Sequence, residues 1–107
     1  MSHYLVRGRY TSDGWAGLVK NPHDRNVAVR PIIESLGGTY TQAWFTEDLG
    51  ELVGIIELPD DQAMACLAAA VRSSDVVAEL SCEKLISTAD AVELFERAGS
   101  IGYQPPA

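Results

Sequence analysis

The chain is poor in the residues that carry most recognisable chemistry. Its 107 residues include two cysteines and two histidines. Cys66 and Cys82 have no Cys-x-x-Cys spacing, so a zinc knuckle and a dithiol redox motif are both excluded, and two reduced core thiols are expected. His3 and His23 form neither His-x-x-x-His nor His-x-Glu, so no metal site is expected. No glycine-rich stretch opens a helix, which removes a phosphate loop, and no nucleophile elbow is present. Positive charge is scarce: 8 Lys and Arg against 15 Asp and Glu give a net charge of −7. That balance argues against nucleic acid as a partner, since nucleic-acid binding wants a basic face. No apolar run reaches membrane length, and Met1-Ser2-His3-Tyr4 opens a strand rather than a signal peptide. Reduced thiols without a leader lead to the expectation of a cytoplasmic protein with no membrane partner.

What the chain does have is order. Leu52 to Leu58 is a β-branched, apolar run that reads as a buried strand. Pro59 ends it, because it cannot donate to a ladder and pushes Leu58 toward extended geometry. Asp60 then caps a helix running to about Ser73, and Asp61 adds negative charge to its first turn. Met64, Leu67 and Val71 form the stripe of this helix, and its alanines let it lie close to a sheet. His3 to Tyr10 alternates as a first strand, with Tyr4, Val6, Gly8 and Tyr10 on one face and Leu5, Arg7 and Arg9 on the other. Ser12 or Asp13 can cap a short helical turn over Trp15 to Lys20. Asp24 to Leu36 reads as a longer helix with Val29, Ile32, Ile33 and Leu36 inward, stopped by Gly37-Gly38. Pro31 implies either a kink there or a regular helix that begins near it.

Thr39 to Phe45 is a second strand. Strict alternation puts Tyr40, Gln42 and Trp44 on one face, with Thr41, Ala43 and Phe45 on the other. Thr46 to Gly50 is the hairpin link to the next strand. Val76 to Leu85 is the fourth strand. Ser87-Thr88-Ala89-Asp90 resembles a capping box for a last helix through Ala98, with Val92, Leu94 and Phe95 as its apolar contacts and Gly99 as its stop. The expected organisation is a ferredoxin-like βαββαβ domain over residues 1–86, followed by a C-terminal helix and extended tail over 87–107. Such an α+β fold has a four-stranded antiparallel sheet with helices on one face only. The uncovered face would carry apolar side chains, so a homodimer through that face is expected.

Candidate chemistry is thin but specific. His23 lies in a polar cluster before a helix and could serve as a general acid or base, or be an exposed loop histidine. Glu57 sits inside the most apolar strand. It must either pair with Arg7 or Arg9, or have its pKa raised by desolvation into the range useful for proton abstraction. Tyr10, Trp15, Tyr40 and Trp44 could wall an organic-ligand pocket, or serve core packing and dimer contact. Arg25 could hold an anionic ligand, or be a solvated helix arginine.

Several pieces together resemble the GYD-domain family: Tyr4 with Tyr10-Thr11-x-x-Gly14, Asn21-Pro22-x-x-Arg25, Ala28-x-Arg30, Glu34-x-Leu36-Gly37-Gly38, and Val53-x-Ile55-x-Glu57-x-Pro59-Asp60-Asp61. The resemblance spans about residues 3 to 86. The naming motif departs from the family pattern: where the family has Gly-Tyr-Asp, this chain has Leu49-Gly50-Glu51, without the tyrosine. The resemblance implies a dimeric α/β barrel. Related barrels include cofactor-free monooxygenases, isomerases, haem-degrading enzymes and plain ligand binders, so the fold does not choose a reaction. A cofactor-independent monooxygenase or isomerase and a non-catalytic ligand-binding or assembly module are both open. Haem binding is a third reading, reachable only through His3 or His23.

Overall fold

The computed structural model describes residues 1–106. Four strands, β1 (Ser2–Tyr10), β2 (Thr39–Phe45), β3 (Leu52–Leu58) and β4 (Val77–Leu85), and four helices, α1 (Ser12–Lys20), α2 (Arg25–Ser35), α3 (Asp61–Arg72) and α4 (Thr88–Ser100), follow in the order β1-α1-α2-β2-β3-α3-β4-α4. The strands form one sheet in the order β2-β3-β1-β4, with every neighbouring pair antiparallel. This is the ferredoxin-like α+β arrangement, two interleaved strand-helix-strand halves with the first and third strands at the centre. α2 lies against β2, and α3 against β3 and β4.

The period of two along the central strands decides what is inside. Tyr4, Ile56 and Leu58 point to the helices and are 3%, 4% and 0% exposed, where they meet Ile33 of α2 and Met64 and Ala68 of α3. Their neighbours His3, Leu5, Arg7, Val53, Ile55 and Glu57 point to the uncovered face, opposite one another across the β1–β3 register. Close approach of the layers is fixed at Gly38, where a Cβ would stand 2.3 Å from the Glu57 carbonyl oxygen and 2.7 Å from Leu58 Cδ2. Gly37, with φ 81°, supplies the left-handed turn that stops α2.

The structure departs from the sequence expectations at several points. α1 is a full helix from Ser12, capped by Thr11, whose hydroxyl accepts from Gly14 N at 3.2 Å, rather than by Ser12 or Asp13. α2 runs unbroken through Pro31. Pro31 lies on the exposed side of α2, where a carbonyl freed by the missing N–H can turn to water. Ile32 is exposed rather than core, and Cys66 is exposed on α3 while Cys82 is half-buried. α4 passes through Gly99 and ends at Ile101.

The larger departure is that α4 has no buried residue. Phe95 is 70% exposed, so among the described residues Val92, Leu94 and Phe95 are not covered as expected. The radius of gyration is 17.5 Å, against about 13 Å for a compact chain of this length, and the extents of 57 × 36 × 24 Å describe a body with an arm.

Candidate functional site

β2 does not alternate strictly. Its register against β3 shifts between Tyr40 and Gln42, so Thr41 is an extra residue. Tyr40 therefore points to the helices, whereas Gln42 and Trp44 stand opposite Ile55 and Val53 on the open face. The bulge is held by Asn26 of α2, whose side chain reads the strand as another strand would. Its Nδ2 donates to the Ala43 carbonyl at 3.3 Å, and its Oδ1 accepts from the Ala43 N–H at 3.1 Å. The Tyr40 hydroxyl donates to the same Oδ1.

The four aromatics expected to share a wall are thus divided. Tyr10 and Trp15 meet edge-on at 5.4 Å between ring centroids, and both touch Phe45, at 6.3 and 5.8 Å. Phe45 completes a cluster that strict alternation would have placed away from Tyr40. Tyr40 stands alone under the Arg30 guanidinium, 5.6 Å from its ring, and burial pushes its phenol pKa up. Trp44 is 57% exposed on the other side of the sheet.

The two acid–base candidates are not brought together. His23 is exposed on the loop into α2. Its Nε2 lies 2.9 Å from Arg25 Nη1 and its Nδ1 lies 2.8 Å from the Asn21 carbonyl. A guanidinium can only donate, so Nε2 is placed as an acceptor and Nδ1 as the donor to the Asn21 carbonyl, with both nitrogens engaged. Arg25, half-buried, keeps a buried Nε with no partner. Glu57 points to the open face and pairs with His3 at 3.2 Å, not with an arginine.

The arginines expected for Glu57 have other partners. Arg7 Nη1 lies 3.9 Å from Glu51, and Arg9 Nη1 lies 3.2 Å from Glu79. These four residues surround the concave part of the open face, next to the β2–β3 hairpin. One hollow of about 580 Å³ is lined by Arg9, Thr46, Glu47, Asp48, Gly50 and Glu51. A second, of about 360 Å³, shares Arg9 and Glu51 and adds Arg7, Glu79 and Ser81. Both fall within the size range of small-molecule sites. The hairpin rim is held rigid by Asp48, which accepts from Gly50 N at 2.9 Å and from the Thr46 hydroxyl at 2.8 Å. Those two bonds, the backbone one first, hold its carboxyl below the usual range. Leu49 takes a left-handed φ of 59° in this turn, an unusual conformation for a branched residue. Leu49-Gly50-Glu51, at the place of the family's naming motif, therefore forms the lip of the hollow.

A polar latch that linear reading missed closes the opposite end of the sheet. The Tyr4 hydroxyl donates to Asp61, and Lys84 Nζ lies 3.1 Å from the same carboxylate. Tyr4's bond, then Lys84's, hold the Asp61 pKa down, and Asp61 in turn raises that of Tyr4. The tyrosine and aspartate are 57 positions apart, so no local pattern announces the pair. Among the described residues no group of three or more His, Cys, Asp and Glu side chains could hold a metal ion, and no helix is long and apolar enough to cross a membrane.

The family model described as GYD domain matches residues 4–94 of the chain. No curated protein matches it.

Proposed function

The chain belongs to the GYD-domain family, and from that premise we propose that it works as a homodimer whose paired open sheet faces enclose a small organic ligand beside the β2–β3 hairpin. What carries this reading is the open face itself. Leu5, Val53, Ile55, Trp44 and Leu85 make an apolar strip there, and the two hollows sharing Arg9 and Glu51 adjoin it. A second sheet laid over the strip removes apolar surface from water, the usual driving force for association. It also converts open hollows into an enclosed site lined by the charged groups of Arg7, Arg9, Glu51 and Glu79. Arg7 and Arg9 are the ligand-facing cations, and an anionic or carbonyl oxygen can compete for them with Glu51 and Glu79, because exposed ion pairs are weak. Trp44 supplies the flat apolar contact.

Ligand binding is favoured over monooxygenation or isomerisation because His23 and Glu57 serve no common space. His23 belongs to the loop of a helix packed on the covered face, whereas Glu57 belongs to the open one. Of the expected pocket aromatics, only Trp44 is on the ligand side. The free thiols Cys66 and Cys82 are compatible with a reducing, cytoplasmic location.

Native mass spectrometry of gently purified protein, before and after denaturation, tests the reading. The expected result is a dimer carrying an organic mass that is lost on denaturation and absent from the Arg9→Ala variant. A bare dimer that also gains no thermal stability from any member of a panel of small organic acids would overturn the ligand site. A monomer at micromolar concentration would overturn the dimer.

A further inference from the structure

We propose that α4 is an exchange arm that docks its apolar stripe on the outer face of α2 of a second copy of this chain. This rests on the homodimer proposed above and assigns to it a second contact, away from the open sheet face.

Two helix faces in the molecule are apolar and uncovered. On α4, Ala91, Leu94, Phe95 and Ala98 recur at i, i+3, i+4 and i+7, with Val92 and Ile101 beside them. Leu94, Phe95, Val92 and Ile101 are all exposed. On α2, the inward side is Val29, Ile33 and Leu36, and the outward side carries four apolar residues beside exposed Arg30, Glu34 and Ser35. Val27 and Pro31 lie one turn apart, Ala28 and Ile32 lie one turn apart, and all four are exposed, Val27 at 72%. Contiguous exposed apolar residues of this kind mark a surface suited to a protein contact.

Within one chain the two stripes do not meet. α2 lies on β2 and α4 continues from β4, and these are opposite edges of the sheet, three strand spacings of about 4.8 Å apart. Only Ile86 and Ser87 separate β4 from α4, and the Ser87 hydroxyl caps the helix at Asp90 N, 3.0 Å. The start of the arm is capped close to the end of β4, and none of its residues joins the core. A 13-residue helix is also marginal in water without packing. A second copy supplies what one chain cannot, and a two-fold axis makes the contact twice.

The two helices differ in the sign of their charge. α4 carries Asp90, Glu93 and Glu96 against Arg97 alone, whereas α2 carries Arg25 and Arg30 against Glu34 alone. The surface is also continuous with the proposed interface, because Leu85, on the open face, leads through exposed Ile86 into the arm. A phenylalanine buries roughly 150–250 Å². Two arms with Val92, Leu94, Phe95 and Ile101, added to the sheet faces, bring the contact toward the ~1,600 Å² of a stable dimer.

The test has two measurements on the full chain. In sedimentation, Phe95→Asp is expected to raise the dimer dissociation constant at least tenfold with an unchanged circular dichroism spectrum, since Phe95 is 70% exposed in its own chain. In the second, chains carrying Val27→Cys and chains carrying Phe95→Cys, both with Cys66→Ser, are mixed, allowed to exchange subunits and mildly oxidised. A covalent dimer is expected from the mixture and from neither population alone. A dimer indifferent to Phe95→Asp and without the mixed disulfide would overturn the arm and leave the sheet-face dimer standing. A wild-type monomer would remove both together.

Discussion

The two faces of the sheet are built from the same strands and share the same backbone hydrogen bonds, yet they do different work. On the covered face Tyr4, Ile56 and Leu58 are almost wholly enclosed. One residue along, His3, Ile55 and Glu57 are half-buried or exposed, and polar groups there are paired rather than excluded. The difference teaches that enclosure and exposure have been assigned to alternate positions of one sequence. The largest expected effect tests that division directly. Leu58→Ala should cost about 2–5 kcal/mol in urea denaturation, as for other enclosed leucines. Leu5→Ala, half-buried on the other side, should cost less than about 1.5 kcal/mol in dilute protein, the low end of full burial. Its cost should grow with protein concentration if the open face is covered by a partner. Equal costs at all concentrations would break the comparison.

Next in size is the clamp that assigns β2 to both faces. Asn26→Ala leaves the Ala43 N–H and the Tyr40 hydroxyl without their acceptor, and an unpaired buried group costs about 1–3 kcal/mol. Asn26→Asp keeps that acceptor but sets a carboxylate oxygen against the Ala43 carbonyl, so it should recover only part of the loss. Trp44 fluorescence should shift in Asn26→Ala, because the bulge is what sends Trp44 to the open face. An unshifted spectrum would mean that the strand holds its bulge without the clamp.

This bulge also marks the limit of what the sequence discloses. The span of β3, Leu52 to Leu58, is legible because its β-branched run and Pro59 are local signals, and Asp60 announces α3 in the same way. The exposure of alternate residues in β1 is legible because period two is a property of the strand itself. Thr41 is not, because the instruction to bulge comes from an asparagine 17 positions away from Ala43. The partner of Glu57 is equally hidden: register, not composition, set it opposite His3 instead of Arg7 or Arg9. The α4 stripe is legible as a helix, but periodicity says only that a face is to be covered, not by which chain.

Acid should affect the covered side through the latch. Asp61 has its carboxyl pKa lowered from 3.8 by the Tyr4 hydroxyl first and Lys84 second. A lowered folded pKa means stabilisation that is complete above the unfolded value and lost as pH falls through the folded one. The denaturation midpoint should therefore drop below about pH 4, and Asp61→Asn should flatten that part of the curve. Tyr4→Phe should move the acid limb upward, since the first cause of the lowering is gone. At the other extreme, the Tyr4 pKa is raised from 10.0, so its share is present below pH 10 and lost as pH rises beyond it. A profile that Asp61→Asn does not alter would assign the acid limb to other carboxylates.

The smallest effect on folding is expected at Arg9, and there the comparison is sharpest. Its pair with Glu79 is exposed on both sides, a geometry worth about 0.2–1 kcal/mol at most. Arg9→Ala should thus be nearly silent in urea denaturation. Arg9 is nevertheless, with Glu51, common to both hollows, so the same change should remove the organic mass expected in the native spectrum. Arg9→Lys separates charge from shape: a lysine keeps the cation but not the planar fork that can hold a carboxylate with two parallel bonds. Retention in Arg9→Lys would make the ligand's recognition a matter of charge. Loss in both variants, with folding intact, would assign it to the guanidinium geometry. A fall in stability comparable to that of Leu58→Ala would instead mean that the open face, like the covered one, exists to hold the fold together.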